Sequence, residues 1–178
     1  MTDQRPLLPR RTIMALWPAA LPLAMPLSGC ASGRAEPLNL PDLRAWALGL
    51  VNQARRSEGL PPLARDDSLD RIAQTHAIDM DRRGYFDHVS PDGADIRERH
   101  LAAGGSRRDF VAENIGRCVT CAPPVDRTRV EAFHSHWMHS AGHRANILSP
   151  TLERFGYGIV VRNGGAGMYA VQTFAGSG

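Results

Sequence analysis

Two strand-like segments close the chain, and nearly everything with helical periodicity lies before them. Phe155-Gly156-Tyr157-Gly158-Ile159-Val160-Val161 and Met168-Tyr169-Ala170-Val171-Gln172-Thr173-Phe174 are rich in β-branched and aromatic residues. The Gly-rich stretch from Arg162 to Gly167 joins them as a hairpin. Upstream, Leu43, Trp46, Ala47, Leu50 and Val51 recur at helical spacing until Gly59 and Pro61-Pro62 stop them. Leu69, Ile72, Ala73, His76 and Met80 form a second apolar face, capped by Asp66, Asp67 or Ser68 and ended by Gly84. A short helix is expected over Ile96 to Ala102, and Val111 to Ile115 reads as a short strand. Asp126 opens a helix carrying Val130, Phe133 and Trp137, and Ser140 opens another from Gly142 to Leu148. Helices first and strands last leave little room for βαβ repeats, so the class is α+β.

The beginning of the chain belongs to processing rather than folding. Arg10-Arg11 precede an apolar run from Ile13 to Leu27, which ends in Leu27-Ser28-Gly29-Cys30. A cationic start, a short apolar run and small residues at its end read as an export signal over residues 1–29. Pro18, Pro22 and Pro26 interrupt the run, which is short for a membrane-spanning helix. Leu-Ser-Gly-Cys resembles the bacterial lipobox, so Cys30 is the expected lipidation site and residues 30–40 a tether to a domain over 41–178. Ser32 stands where some inner-membrane lipoproteins carry Asp. The expected location is therefore the cell envelope, on the periplasmic side or at the outer membrane. Three arginines and one aspartate lie in the first 29 residues, so the formal charge of +3 falls to +1 without them. Near-neutrality gives no basis for a nucleic-acid partner.

With Cys30 acylated, Cys118 and Cys121 remain as Cys-x-x-Cys. A redox site needs the first Cys at a helix start, whereas Cys121 here runs into Ala122-Pro123-Pro124. A metal knuckle needs a second Cys or His pair at suitable spacing, and no second Cys pair exists. In an oxidising compartment the pair is expected as a disulfide that fixes local shape, with a modest entropic contribution from so short a loop.

Three fragments, "FDHVSPDG" (86–93), "AENIG" (112–116) and "HWMHSAGHRANIL" (136–148), are followed by "RFGYGIVV" and "YAVQTFAG". In this order and spacing they resemble the CAP superfamily of cysteine-rich secretory, antigen 5 and pathogenesis-related 1 proteins, and in particular its single-domain bacterial members. The resemblance implies an α-β-α sandwich with a three-stranded antiparallel sheet between helical layers. It also implies a cleft lined by two His and two acids, which in some members binds a divalent metal. Matched residue by residue, the cleft takes His88, Glu113 and His143, while the second acid falls on Ser140, three residues after Trp137.

Two neutral imidazoles and one carboxylate suit zinc or another divalent cation with positions open to water, so His88, His143 and Glu113 are the candidate ligands. Ser140 in place of an acid lowers the expected affinity. His139 adjoins that position and is the candidate extra ligand. His134 and His136 are expected on a solvent-facing helix surface, His100 at the surface, and His76 as a hydrogen-bonded core residue. Asn114 and Asn146 are expected to satisfy backbone groups.

The reading that follows is a lipid-anchored module presenting its cleft to a small lipid- or glycan-type ligand or to a protein. A hydrolase, metal-assisted or built on Ser140, His143 and Glu113, ranks lower. No Gly-x-Ser-x-Gly elbow and no His-Glu-x-x-His motif accompanies those residues. A structural envelope role is the third reading.

Overall fold

The computed structural model describes residues 39–178. The segment expected to be an export signal, the expected lipidation site Cys30 and residues 31–38 of the expected tether lie outside the described residues. Asn39 starts helix α1 (Leu40–Ser57), its side chain accepting from the Asp42 N–H with Pro41 in the first turn. A two-residue strand β1 (Ala64–Arg65) leads into α2 (Asp67–Arg83). Asp66 caps α2 by accepting from Ser68 and Leu69, and Gly84 ends it at φ 71°, a left-handed conformation that favours glycine. Next come α3 (Ile96–Ala102), β2 (Phe110–Cys118), α4 (Arg127–Met138), α5 (Ala141–Ile147), β3 (Arg154–Val161) and β4 (Met168–Gly176).

The class is α+β, but the sheet corrects the expected three antiparallel strands. It has four strands in the order β1-β3-β4-β2, with β1 parallel to β3 and the other pairings antiparallel. The added strand exists because the chain entering α2 passes along β3. There Ala64 N–H donates to Glu153 O at 2.8 Å and Asp66 N–H to Phe155 O at 2.9 Å.

Helices cover both faces. On one, α2 lies directly against β3, because Gly156 and Gly158 present no side chain. A Cβ on Gly156 would fall 2.1 Å from the Leu69 carbonyl carbon. On the other, Leu43, Ala47 and Val51 of α1 meet Phe133 and Trp137 of α4 over Phe155 and Phe174. Trp137 is fully buried and donates its indole N–H to Ile115 O at 3.1 Å, tying α4 to β2.

Arg55 fixes the end of α5. Its guanidinium is fully buried and donates to the carbonyls of Ile147 at 2.9 Å, Ser149 at 2.8 Å and Pro61 at 2.8 Å. Carbonyl oxygens thus satisfy a cation that has no carboxylate partner among the described residues. Burial pulls its pKa down.

Candidate functional site at the edge strand

Glu113 and Asn114 sit at the middle of β2, opposite Thr173 and Gln172 of β4. Side chains alternate along a strand, so the two point to opposite faces. Glu113 faces the side covered by α2 and Asn114 the side covered by α5.

The Glu113 carboxylate is almost entirely buried, and three elements converge on it. The loop after α2 brings His88, whose Nδ1 lies 2.9 Å from Glu113 Oε1. From α3, Arg99 donates an Nη2–H to Glu113 Oε2 at 2.8 Å. His76 of α2 places its Nε2 3.7 Å from Oε1. Arg99 also donates to His88 O at 3.1 Å and Ala94 O at 2.7 Å, so one guanidinium holds both the carboxylate and the loop that carries His88.

These contacts assign the ring protons. A carboxylate paired with a guanidinium is acceptor-only, so His88 Nδ1 must carry the hydrogen. In the neutral ring Nε2 then holds the lone pair. The His88 side chain is 49% exposed, and no hydrogen bond among the described residues uses Nε2. The hydrogen bond that His88 donates to Glu113 raises the His88 pKa above its ordinary value. His76 behaves oppositely. Its Nε2–H donates to Asp87 O at 3.0 Å, and burial lowers its pKa despite the nearby Glu113 charge. Neutral His76 is thus a neighbour of Glu113 rather than an ion-pair partner. Tyr85 donates to Asp79 at 2.6 Å, and burial first, then that bond, raises the phenol's pKa.

On the opposite face, amides do the work. Asn114 is fully buried and donates to His143 O at 3.1 Å and Gln172 Oε1 at 3.0 Å. Asn146 of α5 donates to Glu113 O at 3.2 Å and Asn114 Oδ1 at 2.9 Å. Asn114 and Asn146 therefore satisfy backbone groups as expected, and in doing so dock α5 on the edge strand. His143 Nδ1 is buried with no hydrogen-bond partner among the described residues. Burial lowers the His143 pKa, and the charges of His88 and His136 lower it further.

The remaining candidates fall as follows. Ser140 is the N-cap residue of α5, but its hydroxyl makes no capping hydrogen bond. No hydrogen bond links Ser140, His143 and Glu113 into a triad among the described residues. His139 turns its Nδ1 back onto Ser135 O at 2.7 Å. His136 is exposed as expected, whereas His134 is half-buried, with Nδ1 lacking a partner. His100, expected at the surface, is buried and pairs with Asp109 at 2.9 Å. Gly105 makes room for it, since a Cβ there would lie 2.1 Å from the His100 ring. Cys118 and Cys121 are disulfide-bonded. Sequence reasoning missed Arg99, which nothing local distinguishes from Arg97 in the charged run of α3.

The profile of the cysteine-rich secretory protein (CAP) family matches residues 48–174 of this α+β domain, in which His88 of a loop pairs with Glu113 of the edge strand. The chain belongs to the CAP family. The uncharacterized protein YkwD of Bacillus subtilis is 34% identical over 111 residues, covering 62% of this chain and 40% of that protein. An extracellular SCP-domain protein from Bacillus anthracis superposes with a TM-score of 0.62 at 24% identity, over 79% of this chain and 44% of that one. An outer surface protein from Borrelia burgdorferi superposes at 0.63 with 14% identity, over 80% of this chain and 98% of that one. The chain thus spans less than half the length of the two Bacillus proteins. These two structural neighbours are extracellular or surface proteins, and no described helix is long and apolar enough to cross a membrane.

Proposed function

We propose that the chain is an exported envelope CAP domain, anchored through Cys30, that works as a non-catalytic binding module with His88 as the contact atom-bearer of its cleft. The observation that carries this reading is the Glu113–His88 pair. A buried carboxylate with both oxygens engaged holds a half-exposed imidazole in one tautomer and leaves Nε2 without a hydrogen-bond partner among the described residues. A preset acceptor of this kind suits a ligand hydroxyl or amide donor, as a glycan or a lipid headgroup would offer.

The same donors bear on a divalent cation. No group of three or more His, Cys, Asp or Glu able to hold a metal occurs among the described residues. Glu113 is spent on Arg99 and His88, so it serves as the carboxylate that orients a ligating imidazole rather than as a ligand. His88 Nε2 and the unpartnered His143 Nδ1 are the fitting donors for zinc. Two imidazoles with no acid at Ser140 make a weak site, and the bound cation would serve as a Lewis acid toward a ligand oxygen.

Calorimetric Zn²⁺ titration tests the arrangement. Wild type should bind weakly, His88→Ala and His143→Ala should lose binding, and Ser140→Glu should tighten it. Identical isotherms for all four proteins would reject a shared site.

A further inference from the structure

We propose that the Cys118–Cys121 bridge is a thiol–disulfide exchange site, entered by a compact thiol from the α4 side. The bridge lies at the end of the edge strand β2. Both cysteines are half-buried, and both line a cavity of about 330 Å³ whose far wall is α4. Arg129, Ala132, Phe133 and His136 form that wall at i, i+3, i+4 and i+7, one face of the helix. A bridge sealed in a core can only hold shape, whereas this one opens onto space for a small molecule.

An exchangeable dithiol needs positive charge beside the sulfur that leaves, which a helix start commonly supplies. Here a side chain of α4 supplies it. Arg129 Nη1 donates to Cys121 Sγ at 3.7 Å, and Nη2 donates to Ala122 O at 3.5 Å, so the guanidinium is turned onto the Cys121 end of the bridge. A disulfide sulfur is a weak acceptor, but a thiolate carries a full charge, and the same contact then becomes a charge-assisted bond. Among the described residues no carboxylate lines the cavity, and Asp126 is occupied at the start of α4, accepting the Arg129 backbone N–H at 3.0 Å. The other cations at this end of the sheet, Arg117 and Arg162, lie over Phe86 and Tyr169 on the opposite, α2 face. Among the described residues Cys118 Sγ has no donor like Arg129.

That asymmetry sets the direction of attack. An incoming thiolate bonds to Cys118 Sγ, the S–S bond breaks, and its electron pair leaves on Cys121 Sγ beside Arg129. A second thiolate attacks the external sulfur of the mixed disulfide, and the electron pair goes to Cys118 Sγ. Two thiols thus become one external disulfide, and the bridge takes up two electrons and two protons. His136, on the same wall, is an imidazole able to accept the proton of an incoming thiol. A cavity of about 330 Å³ is at the small end of ligand pockets, room for a thiol the size of cysteine. The site uses none of the His88 cleft residues and does not depend on what that cleft binds.

The test uses the mature protein carrying Cys30→Ser, so that only the bridge sulfurs respond. It is treated with excess L-cysteine at neutral pH, quenched in acid, alkylated and mapped by mass spectrometry. The native bridge should be reduced at least as fast as the same bridge in the urea-unfolded chain, and the trapped mixed disulfide should sit on Cys118. In the reduced protein Cys121 should alkylate with an apparent pKa at least about one unit below the ordinary value of about 8.5, and Cys118 near that value. Arg129→Gln should slow reduction of the native bridge about threefold and return Cys121 to about 8.5. His88→Ala should react as the parent does. Reduction only on unfolding, a mixed disulfide on Cys121, or a Cys121 profile indifferent to Arg129→Gln would each overturn the proposal. Should Arg129→Gln fail to fold, the native-to-unfolded rate ratio of the parent decides the matter alone.

Discussion

Glu113 and Asn114 are neighbours on one strand, yet the two faces of β2 solve the burial of polar groups differently. Glu113 carries a charge into the protein, and Arg99, His88 and His76 gather around it from three separate elements. Asn114 carries none, and a chain of amides through Asn146 and Gln172 suffices to hold α5 in place. A buried charge must be paired or it will neutralise, whereas a buried amide needs only hydrogen-bond partners. The charged face accordingly fixes the state of His88, and the neutral face fixes the position of His143.

Removing the guanidinium should break the charged face most severely. Arg99→Ala leaves Glu113 buried beside two imidazoles, and should destabilise the domain by about 3 kcal/mol or more. Adding Glu113→Gln should restore much of that loss, because the uncompensated charge disappears. Urea denaturation of the single and double variants reads the coupling, and additive losses would contradict the charge argument. On the neutral face, Asn114→Ala strands the His143 carbonyl and the Gln172 and Asn146 amides. It should cost about 2 kcal/mol while His88 stays the Nδ1–H tautomer bonded to Glu113. Loss of that tautomer would mean that the two faces do not fold independently.

The smallest effect is that of acid. Burial holds the His76 pKa below its ordinary value, so folding favours the neutral ring. That contribution is present above the unfolded pKa of about 6.5 and is lost as pH falls through the folded value. His134 and His143, also lowered by burial, add the same sign on the other face. His76→Gln should therefore flatten part of the fall in Tm between neutral and mildly acid pH. An unchanged or steeper slope would exclude His76 as a source of acid lability.

What could be read in the sequence was what repeats or caps. Asp66 and Gly84 mark the ends of α2 because an N-cap acid and a left-handed glycine are local requirements. The hairpin strands show β-branched and aromatic enrichment along their length. Ala64–Arg65 could not be read, since two residues carry no period and β1 exists only through its pairing with β3. His100 was misplaced for a similar reason. In a seven-residue helix the charged neighbours Arg97, Glu98 and Arg99 suggest exposure, while burial is decided by Asp109 and Gly105 from the following loop. The His88–Glu113 contact joins residues 25 apart and was reached through resemblance to a family, not through local pattern.

The central claim is that Glu113 accepts the His88 Nδ1–H and leaves Nε2 as the open acceptor. Long-range ¹H–¹⁵N correlation spectroscopy of the imidazoles tests it directly, at a pH above the His88 titration. The account expects His88 as the Nδ1–H tautomer with a downfield, slowly exchanging proton, and a lower His88 pKa in Glu113→Gln. A His88 ring protonated on Nε2, or one whose titration ignores the loss of the Glu113 charge, would contradict it.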